Sequence, residues 1–271
     1  MLILPSFNRN GPAMANSAAS AAIGIFDSGI GGLSVARAVR ALLPHERLLY
    51  VADSGHAPYG EKTDEYIYQR MHVITQQLLA SDAKAIVVAC NTATTAAIAK
   101  LRAEFSVPII GVEPGVKPAV LASTTGVVGV LATPRTLQTP AFSQLSARYA
   151  GSARILLQPC PGLVPLIEAL ALKSPELRQL LQSYIQPLLA QGADTLVLGC
   201  THYNFIAEVI ADIAGPAITI VRTEMAVAKQ LQRRLSELGL LNSSAEPAPD
   251  HFSSSGDNAL FQRQLQQLWC L

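Results

Sequence analysis

The chain alternates short apolar runs with longer stretches in which apolar residues recur every three or four positions. Short apolar runs are typical of strands buried on both faces, and the longer periodic stretches are typical of amphipathic helices. Strands that alternate with helices at this spacing predict βαβ units and parallel sheets. Strands are predicted at Ile23–Phe26, Leu48–Ala52, Ile86–Val88, Val107–Val112, Gly126–Leu131, Arg154–Leu157, Leu196–Leu198 and Ala217–Val221. Helices are predicted to end near Leu43 and to cover Asp64–Ala80, Thr94–Phe105, Leu163–Leu170, Ser174–Ala190, Ala226–Leu238 and Ala259–Leu271.

The order of elements restarts at Gly126, which predicts a duplicated architecture. Each half contains a strand, a helix, a second strand, further helix, and then a strand that ends at a cysteine. We therefore predict an α/β fold of two pseudo-symmetric three-layer domains with mainly parallel sheets and an active site in the cleft between them. The predicted segments are a mobile tail at 1–22, a first domain at 23–114 plus 226–271, and a second domain at 115–225.

Composition is consistent with sheets buried on both faces. Hydrophobic residues make up 50% of the chain and charged residues only 14%, against a typical charged fraction of about 25%. The net charge of +1 gives no electrostatic reason to expect binding to nucleic acid or to an acidic membrane surface. No apolar stretch reaches the roughly 18 residues of a membrane span, and the first residues lack the pattern of a secretory signal. We therefore expect a cytoplasmic protein with reduced thiols.

Two of the four cysteines follow predicted strands in the same way. Cys90 and Cys200 each come after an apolar run and one small residue, and each is followed at once by two polar residues. Ligands of open α/β sheets bind outside the carboxyl ends of the strands, so both thiols are candidates for chemistry. Cys160 does not share this pattern, and Cys270, next to the last residue, is interpreted as incidental.

The two halves of the chain place one thiol each in the same way. Such a pair is suited to remove a proton from one face of a carbon atom and to return a proton to the opposite face. A thiol has a pKa of about 8.5, which its neighbours can lower, so it can act as an acid or a base near neutral pH. One thiol must be ionised while the other is protonated, so each needs a titratable neighbour. Asp27, at the end of the first strand, is the candidate beside Cys90, and His202 and Glu168 are the candidates beside Cys200. A carboxylate on a helix is usually solvated, so Glu168 is favoured only by the family resemblance given below.

Several neutral groups near these residues can orient a small zwitterion without a cofactor. They are the side chains of Ser28, Asn91, Thr92 and Thr201, and the backbone at Tyr59 and Gly60. The Gly-rich turn after Asp27 lacks both GxGxxG and a phosphate-loop lysine, so a carboxylate ligand fits it as well as a phosphate. One alternative is covalent catalysis by a Cys/His pair, which leaves the second cysteine idle. A metal site is the other, but no local cluster of ligands supports it.

Six segments, in order, resemble the cofactor-independent glutamate racemases of bacteria: IGIFDSGIGGLSV, PYGEK, VVACNTAT, GVEPGVKPA, CPGLVPLIE and LGCTHYN. The resemblance extends from about Ile23 to the C-terminus. Related aspartate racemases usually have Thr-Glu after the second cysteine, whereas Thr201-His202 follows it here, which favours glutamate. The chain departs from many members at 222–224, to which we assign no role, and at His56-Ala57.

The resemblance implies interconversion of L- and D-glutamate for peptidoglycan synthesis, without pyridoxal phosphate or a metal. It implies that Cys90 faces the α-hydrogen of the D-enantiomer and Cys200 that of the L-enantiomer, with Asp27, Glu168 and His202 assisting. The substrate-contacting residues that it implies are Asp27, Ser28, Tyr59, Gly60, Asn91, Thr92, Thr201 and His202. A homodimer and a cell-wall precursor that activates the enzyme are possible partners. The alternative functions are racemisation of another amino acid, such as aspartate, or of a hydantoin, and a non-catalytic binding module on the same fold.

Overall fold

The computed structural model describes residues 18–149, 151–244 and 249–269. The chain divides into two compact units. Unit 1 contains the residues up to Val112 and those from Glu224 onward, and unit 2 is Glu113–Thr223. No helix in the described ranges combines the length and the apolar character that a bilayer crossing needs.

Unit 1 is built on a sheet of five parallel strands. Numbered along the whole chain, these strands are β1 Ala22–Asp27, β2 Leu48–Ala52, β3 Ala83–Val88, β4 Ile109–Gly111 and β9 His251–Ser254, and their order in the sheet is β4-β3-β1-β2-β9. The helices of this unit are α1 Leu33–Leu42, α2 Asp64–Ala80, α3 Asn91–Glu104, α10 Glu224–Glu237 and α11 Asn258–Trp269. Every residue of the three central strands is buried, as expected for a parallel sheet covered by helices.

Unit 2 is built on a sheet of four parallel strands. The strands are β5 Val127–Ala132, β6 Arg154–Pro159, β7 Thr195–Leu198 and β8 Thr219–Val221, and their order is β6-β5-β7-β8. The helices are α4 Val116–Ala122, α5 Pro134–Gln138, α6 Pro140–Ala147, α7 Leu163–Glu168, α8 Pro175–Ala190 and α9 Ala207–Ala214, with a 3₁₀ turn at Thr201–Ile206. Along β7, Leu196 and Leu198 enter one core cluster while Val197 enters another. This two-residue period shows that the sheet is buried on both faces.

The two sheets have the same strand order once the edge strand β9 is set aside. Read from β2, the order in unit 1 is β2-β1-β3-β4, and in unit 2 it is β6-β5-β7-β8. The strands that precede Cys90 and Cys200, β3 and β7, are therefore equivalent. The predicted fold of two α/β domains with parallel sheets is confirmed.

Strand β9 and helix α4 are among the elements that were not predicted, and each has a physical reason. Strand β9 has the sequence HFSS, which is not an apolar run; it forms because Leu49 to Ala52 of β2 offer it a parallel partner. Strand formation here depends on a tertiary neighbour rather than on local preference. Helix α4 is short and contains Pro118, so its sequence gives no clear helical period.

The ends of several elements differ from the prediction. Helix α3 begins at Asn91 rather than at Thr94, because Cys90 itself acts as the N-cap. Of the predicted tail at 1–22, residues 1–17 lie outside the described residues, whereas Ala18–Ser20 form a 3₁₀ turn and β1 begins at Ala22. The last two residues of the predicted C-terminal helix, including Cys270, lie outside them as well.

Candidate active site

In unit 1 the candidate residues lie at the carboxyl ends of the neighbouring strands β1 and β3. From β1 the chain continues to β2 on one side and then crosses to β3 on the other, so the order of strands reverses between β1 and β3. Ligands of open α/β sheets bind at such a reversal. Asp27 is the last residue of β1, and Cys90 follows β3 after one residue. The structure therefore brings together two candidates that are far apart in sequence.

The carboxylate of Asp27 is fully buried and fixed by backbone amides. Its Oδ1 accepts a hydrogen bond of 2.6 Å from the N–H of Ser28, and its Oδ2 accepts one of 2.6 Å from the N–H of Gly32. A Cβ at Gly32 would lie 2.7 Å from Cβ of Asp27 and 3.0 Å from Cβ of Ala89, so only glycine allows this approach. The Gly-rich turn thus holds the Asp27 carboxylate in one position.

Cys90 is buried between polar groups from both strand ends. Its Sγ accepts a hydrogen bond from the N–H of Ala93 at 3.5 Å, and it lies 3.6 Å from Oγ of Ser28. Burial raises the pKa of the Cys90 thiol well above its usual value, and the negative charge of Asp27 raises it further. The Ala93 amide and the Ser28 hydroxyl act in the opposite direction but do not outweigh these effects. The arrangement therefore keeps Cys90 protonated.

The predicted substrate-contacting residues of unit 1 lie at the start of α3 and in the loop after β2. Asn91 and Thr92 are buried in the first turn of α3. The Nδ2 of Asn91 donates to the carbonyl of Val112 at 3.3 Å, whereas its buried Oδ1 accepts no hydrogen bond from the described chain. A buried acceptor without a donor is costly, so this oxygen is suited to an N–H donor of a ligand. Tyr59 is buried and Gly60 is half-buried.

In unit 2, Cys200 is presented in the same way as Cys90. It follows β7 after one residue, Gly199, whose N–H donates to the carbonyl of Leu131 at 2.8 Å. Ala89 makes the equivalent 2.8 Å bond to a carbonyl of β1. Both cysteines have extended backbone angles, φ −137° and ψ 120° for Cys90 and φ −144° and ψ 133° for Cys200. The duplicated fold thus places two thiols at equivalent positions of two sheets.

Cys200 has a histidine and a carboxylate as partners. Its Sγ lies 3.7 Å from Nδ1 of His202, and Nε2 of His202 lies 2.6 Å from Oε1 of Glu168. Glu168 is the last residue of α7, and Thr201 is buried beside His202 in the 3₁₀ turn. Burial opposes a charge on the ring, but the hydrogen bonds that the protonated ring donates to Cys200 and Glu168 outweigh it and hold the pKa of His202 well above its usual value. The row of three side chains can therefore place an imidazolium beside the Cys200 sulfur.

Comparison with known proteins assigns the chain to a family. The sequence profile described as Asp/Glu/Hydantoin racemase matches residues 33–241. The chain belongs to this family. It is 56% identical to the glutamate racemase of Methylococcus capsulatus over 247 residues, which are 91% of this chain and 91% of that one.

Solved racemase structures have a similar fold. The glutamate racemase isoform RacE1 from Bacillus anthracis superimposes with a TM-score of 0.85 at 29% identity, covering 93% of this chain and 94% of that one. The glutamate racemase of Escherichia coli, in complex with L-glutamate and the activator UDP-MurNAc-Ala, gives a TM-score of 0.81 at 31% identity, covering 92% and 94%. The chain is therefore an isomerase of the racemase class.

Other polar groups of this racemase were not among the predicted site residues. Asp53, directly after β2, is fully buried and binds Tyr59, Arg70 and Ser255. Its position after a strand is the signal that also identified Asp27, whereas nothing in the sequence links it to Ser255. Cys160 is buried, and burial together with the charge of Cys200 raises the pKa of its thiol far above the usual range. Within the described ranges, no group of three or more His, Cys, Asp and Glu side chains is arranged to hold a metal ion.

Proposed function

We propose that this racemase interconverts L- and D-glutamate by transferring the α-proton between two cysteines without a cofactor, and so supplies D-glutamate for peptidoglycan synthesis. The observation that carries the proposal is the equivalent placement of Cys90 and Cys200 just after β3 and β7, each with acid–base partners of its own. High identity to a glutamate racemase over nine-tenths of the chain supports glutamate as the substrate. A covalent mechanism needs only one activated cysteine and leaves the second without a role.

Proton transfer begins from the state in which Cys90 is protonated and Cys200 is a thiolate beside protonated His202. The Cys200 thiolate takes the α-proton of the L-enantiomer, and the electron pair left on Cα is delocalised into the adjacent carboxylate. The Cys90 thiol then gives its proton to the opposite face of Cα, which forms the D-enantiomer and leaves Cys90 as the thiolate. The same steps in reverse convert D-glutamate to L-glutamate, so no proton or electron is gained or lost overall.

The partners of each thiol tune its two protonation states. The Asp27 charge raises the pKa of Cys90, so the Cys90 thiolate, once formed, is a strong base for the α-proton of D-glutamate. Glu168 stabilises the protonated ring of His202, which in turn stabilises the Cys200 thiolate. The orphan Oδ1 of Asn91 and the Asp27 carboxylate are suited to the substrate ammonium group. Ser28, Tyr59, Gly60, Thr92 and Thr201 complete the proposed set of substrate contacts.

The proposal extends to partners and location. The relative from Escherichia coli binds an activator, UDP-MurNAc-Ala. By analogy, we propose that a cell-wall nucleotide precursor also activates this chain. We also assign a homodimer and a cytoplasmic location, the latter supported by the free thiols of Cys90, Cys160 and Cys200. Sedimentation of the purified protein with and without the precursor tests the assembly, and initial rates under the same two conditions test the activation.

The function is tested with purified protein and L-glutamate in D₂O without added cofactor. Loss of the circular dichroism signal together with deuterium at Cα is the expected result. The same assay with L-aspartate distinguishes a racemase of another amino acid, and a repeat with the nucleotide precursor distinguishes an enzyme that needs its activator. Absence of exchange under all three conditions would contradict the proposal and favour a binding module.

A further inference from the structure

Besides Asp27, the buried carboxylates of unit 1 include Asp53, which is not needed for proton transfer itself. Its Oδ2 accepts hydrogen bonds from the hydroxyl of Tyr59 at 2.6 Å and from Nε of Arg70 at 2.9 Å. Its Oδ1 accepts from Nη2 of Arg70 at 2.9 Å and from Oγ of Ser255 at 2.8 Å. A buried carboxylate with a bidentate arginine and two hydroxyl donors is fully satisfied and held in one orientation. We call these four residues the Asp53 clamp.

The clamp joins two consecutive segments of unit 1 to a third that is distant in sequence. Tyr59 belongs to the loop between β2 and α2, Arg70 to α2, and Ser255 to the segment after β9. The loop and this C-terminal segment are in close contact, because a Cβ at Gly55 would lie 2.6 Å from the carbonyl oxygen of Ser255. The N–H of Gly55 also donates to Oγ of Ser255 at 3.1 Å. The C-terminal segment therefore helps to fix the loop that carries Tyr59.

The clamp is connected to Cys90 through Tyr59. Tyr59 is 1% exposed and belongs to the same buried cluster as Cys90 and Ala93. Burial raises the pKa of Tyr59 well above its usual value, as do the charge and hydrogen bond of Asp53 and then the nearby Cys90. The hydroxyl thus stays protonated and committed to Asp53. The backbone N–H of Asp53 also donates to the carbonyl of Asp27 at 2.8 Å, which ties the clamp to the end of β1.

We propose that Asp53 is a positioning residue of the Cys90 half of the active site, which fixes Tyr59 in the buried cluster that also contains the Cys90 thiol and is itself held by Arg70 and Ser255. The effect of Asp53 on turnover rests on the proposed function, whereas its effect on the position of Tyr59 and on the reactivity of the Cys90 thiol does not. Asp53 touches neither the thiol nor, in this proposal, the substrate. It acts through the tyrosine ring that it holds.

Tyr59→Phe and Ser255→Ala are the variants of choice, because Asp53→Asn leaves the half-buried Arg70 without a carboxylate partner and can prevent folding. Each of the two variants removes one hydrogen bond to Asp53 and keeps the Asp53–Arg70 pair. Tyr68→Phe is the matched control: it also removes a tyrosine hydroxyl from a carboxylate in unit 1, that of Glu104, outside the clamp.

The first readout is alkylation of Cys90 and Cys200 by iodoacetamide, followed separately by mass spectrometry. We expect Tyr59→Phe to raise the alkylation rate of Cys90 by about tenfold and to leave that of Cys200 unchanged. The factor corresponds to the free energy of one lost hydrogen bond to a charged group. Ser255→Ala raises the Cys90 rate less. Because both act through Asp53, the double variant is expected to fall short of the product of the two single effects. Equal labelling of Cys90 in Tyr59→Phe, Tyr68→Phe and wild type overturns the proposal.

The second readout is the rate of racemisation of α-deuterated L- and D-glutamate. A perturbation confined to Cys90 changes the deuterium isotope effect for one enantiomer relative to the other, whereas a general loss of structure changes both alike. We expect that asymmetry in Tyr59→Phe and not in Tyr68→Phe; equal isotope effects in both would overturn the positioning role. If the wild type does not racemise glutamate, the proposed function fails, and the alkylation rates alone decide whether the clamp positions Cys90.

Discussion

Replacing Glu168 with glutamine tests the unit 2 half of the mechanism without touching either cysteine. The carboxylate lies 2.6 Å from Nε2 of His202, whose Nδ1 lies 3.7 Å from the sulfur of Cys200. Glutamine has nearly the same shape as glutamate but no charge, so it no longer stabilises the protonated ring. The pKa of His202 is therefore expected to fall in Glu168→Gln, and the Cys200 thiolate loses part of its stabilisation.

The size of the effect follows from the burial of the two side chains. A hydrogen bond to a charged group contributes about 1.5–3 kcal/mol. His202 is 3% exposed, but Glu168 keeps 20% of its side chain in solvent, where water replaces part of the lost interaction. We therefore take the lower half of that range, about 1.5–2 kcal/mol, which corresponds to a loss of about ten- to thirtyfold in kcat.

The pH dependence gives the sign of the effect. In the folded wild type the pKa of His202 is raised, so the ring keeps its proton to higher pH than a free histidine does. Activity that needs the imidazolium is present below that pKa and is lost as the pH rises through it. In Glu168→Gln the alkaline loss is expected to begin at lower pH.

Initial rates measured by circular dichroism over a pH series provide the assay. Glu176→Gln is the matched control, because Glu176 is an exposed carboxylate in the first turn of α8 in the same unit. An unchanged kcat with an unchanged alkaline limb would refute the role of Glu168. A shift of the acid limb alone would show instead that the neutral ring is the active form.

Three further predictions concern other parts of the chain. Cys90→Ser and Cys200→Ser are each expected to lower kcat by about a hundred- to ten-thousandfold, the range of general acid–base catalysis, with an unaltered far-UV spectrum; wild-type turnover in either variant argues against two-base transfer. Gly32→Ala places a methyl group 2.7 Å from Cβ of Asp27. The free energy of unfolding, measured in urea, is expected to fall by about 1–3 kcal/mol, as at other overpacked sites. An unchanged urea midpoint contradicts this. Burial opposes the charge of Asp194, but hydrogen bonds from residues 123–125 outweigh it and lower the pKa of this carboxyl. The ionised carboxylate therefore stabilises the folded state at pH values above the unfolded pKa of about 3.9, and this stabilisation is lost as the pH falls. Asp194→Asn should therefore lower Tm more at neutral than at acid pH, and an equal lowering at both contradicts the reasoning.

The strands that carry the cysteines were predictable because parallel strands covered on both faces must be apolar throughout. Ile86–Val88 and Leu196–Leu198 are such runs, and both lie within strands of the structure. Strand β9 was not predictable, because HFSS becomes a strand only through its register with β2. The C-terminal segment therefore has a place in the unit 1 sheet that no local pattern reveals.

The candidate site was predictable where position alone identifies a residue. Asp27 was selected because an acid ends an apolar strand, and His202 because it follows a cysteine by two residues. Glu168 depended on the family resemblance, since 34 positions separate it from His202 and a carboxylate on a helix is usually solvated. The start of α3 was placed three residues late, because cysteine is not among the preferred N-caps, although the Cys90 sulfur accepts the Ala93 amide.

The two halves of the fold place their cysteines alike and surround them differently. Burial and the charge of Asp27 raise the pKa of the Cys90 thiol, whereas Cys200 lies beside His202, whose own pKa is held well above its usual value. In the proposed mechanism one proton is held on either of the two thiols, and the free energies of these two states must be close for turnover in both directions. If the halves had identical surroundings, nothing would define which thiol is protonated before substrate binds. In the proposed mechanism, duplication of the backbone therefore supplies the geometry of a two-base site, and the different side chains around the two thiols, Asp27 in unit 1 and Glu168 and His202 in unit 2, supply its starting proton.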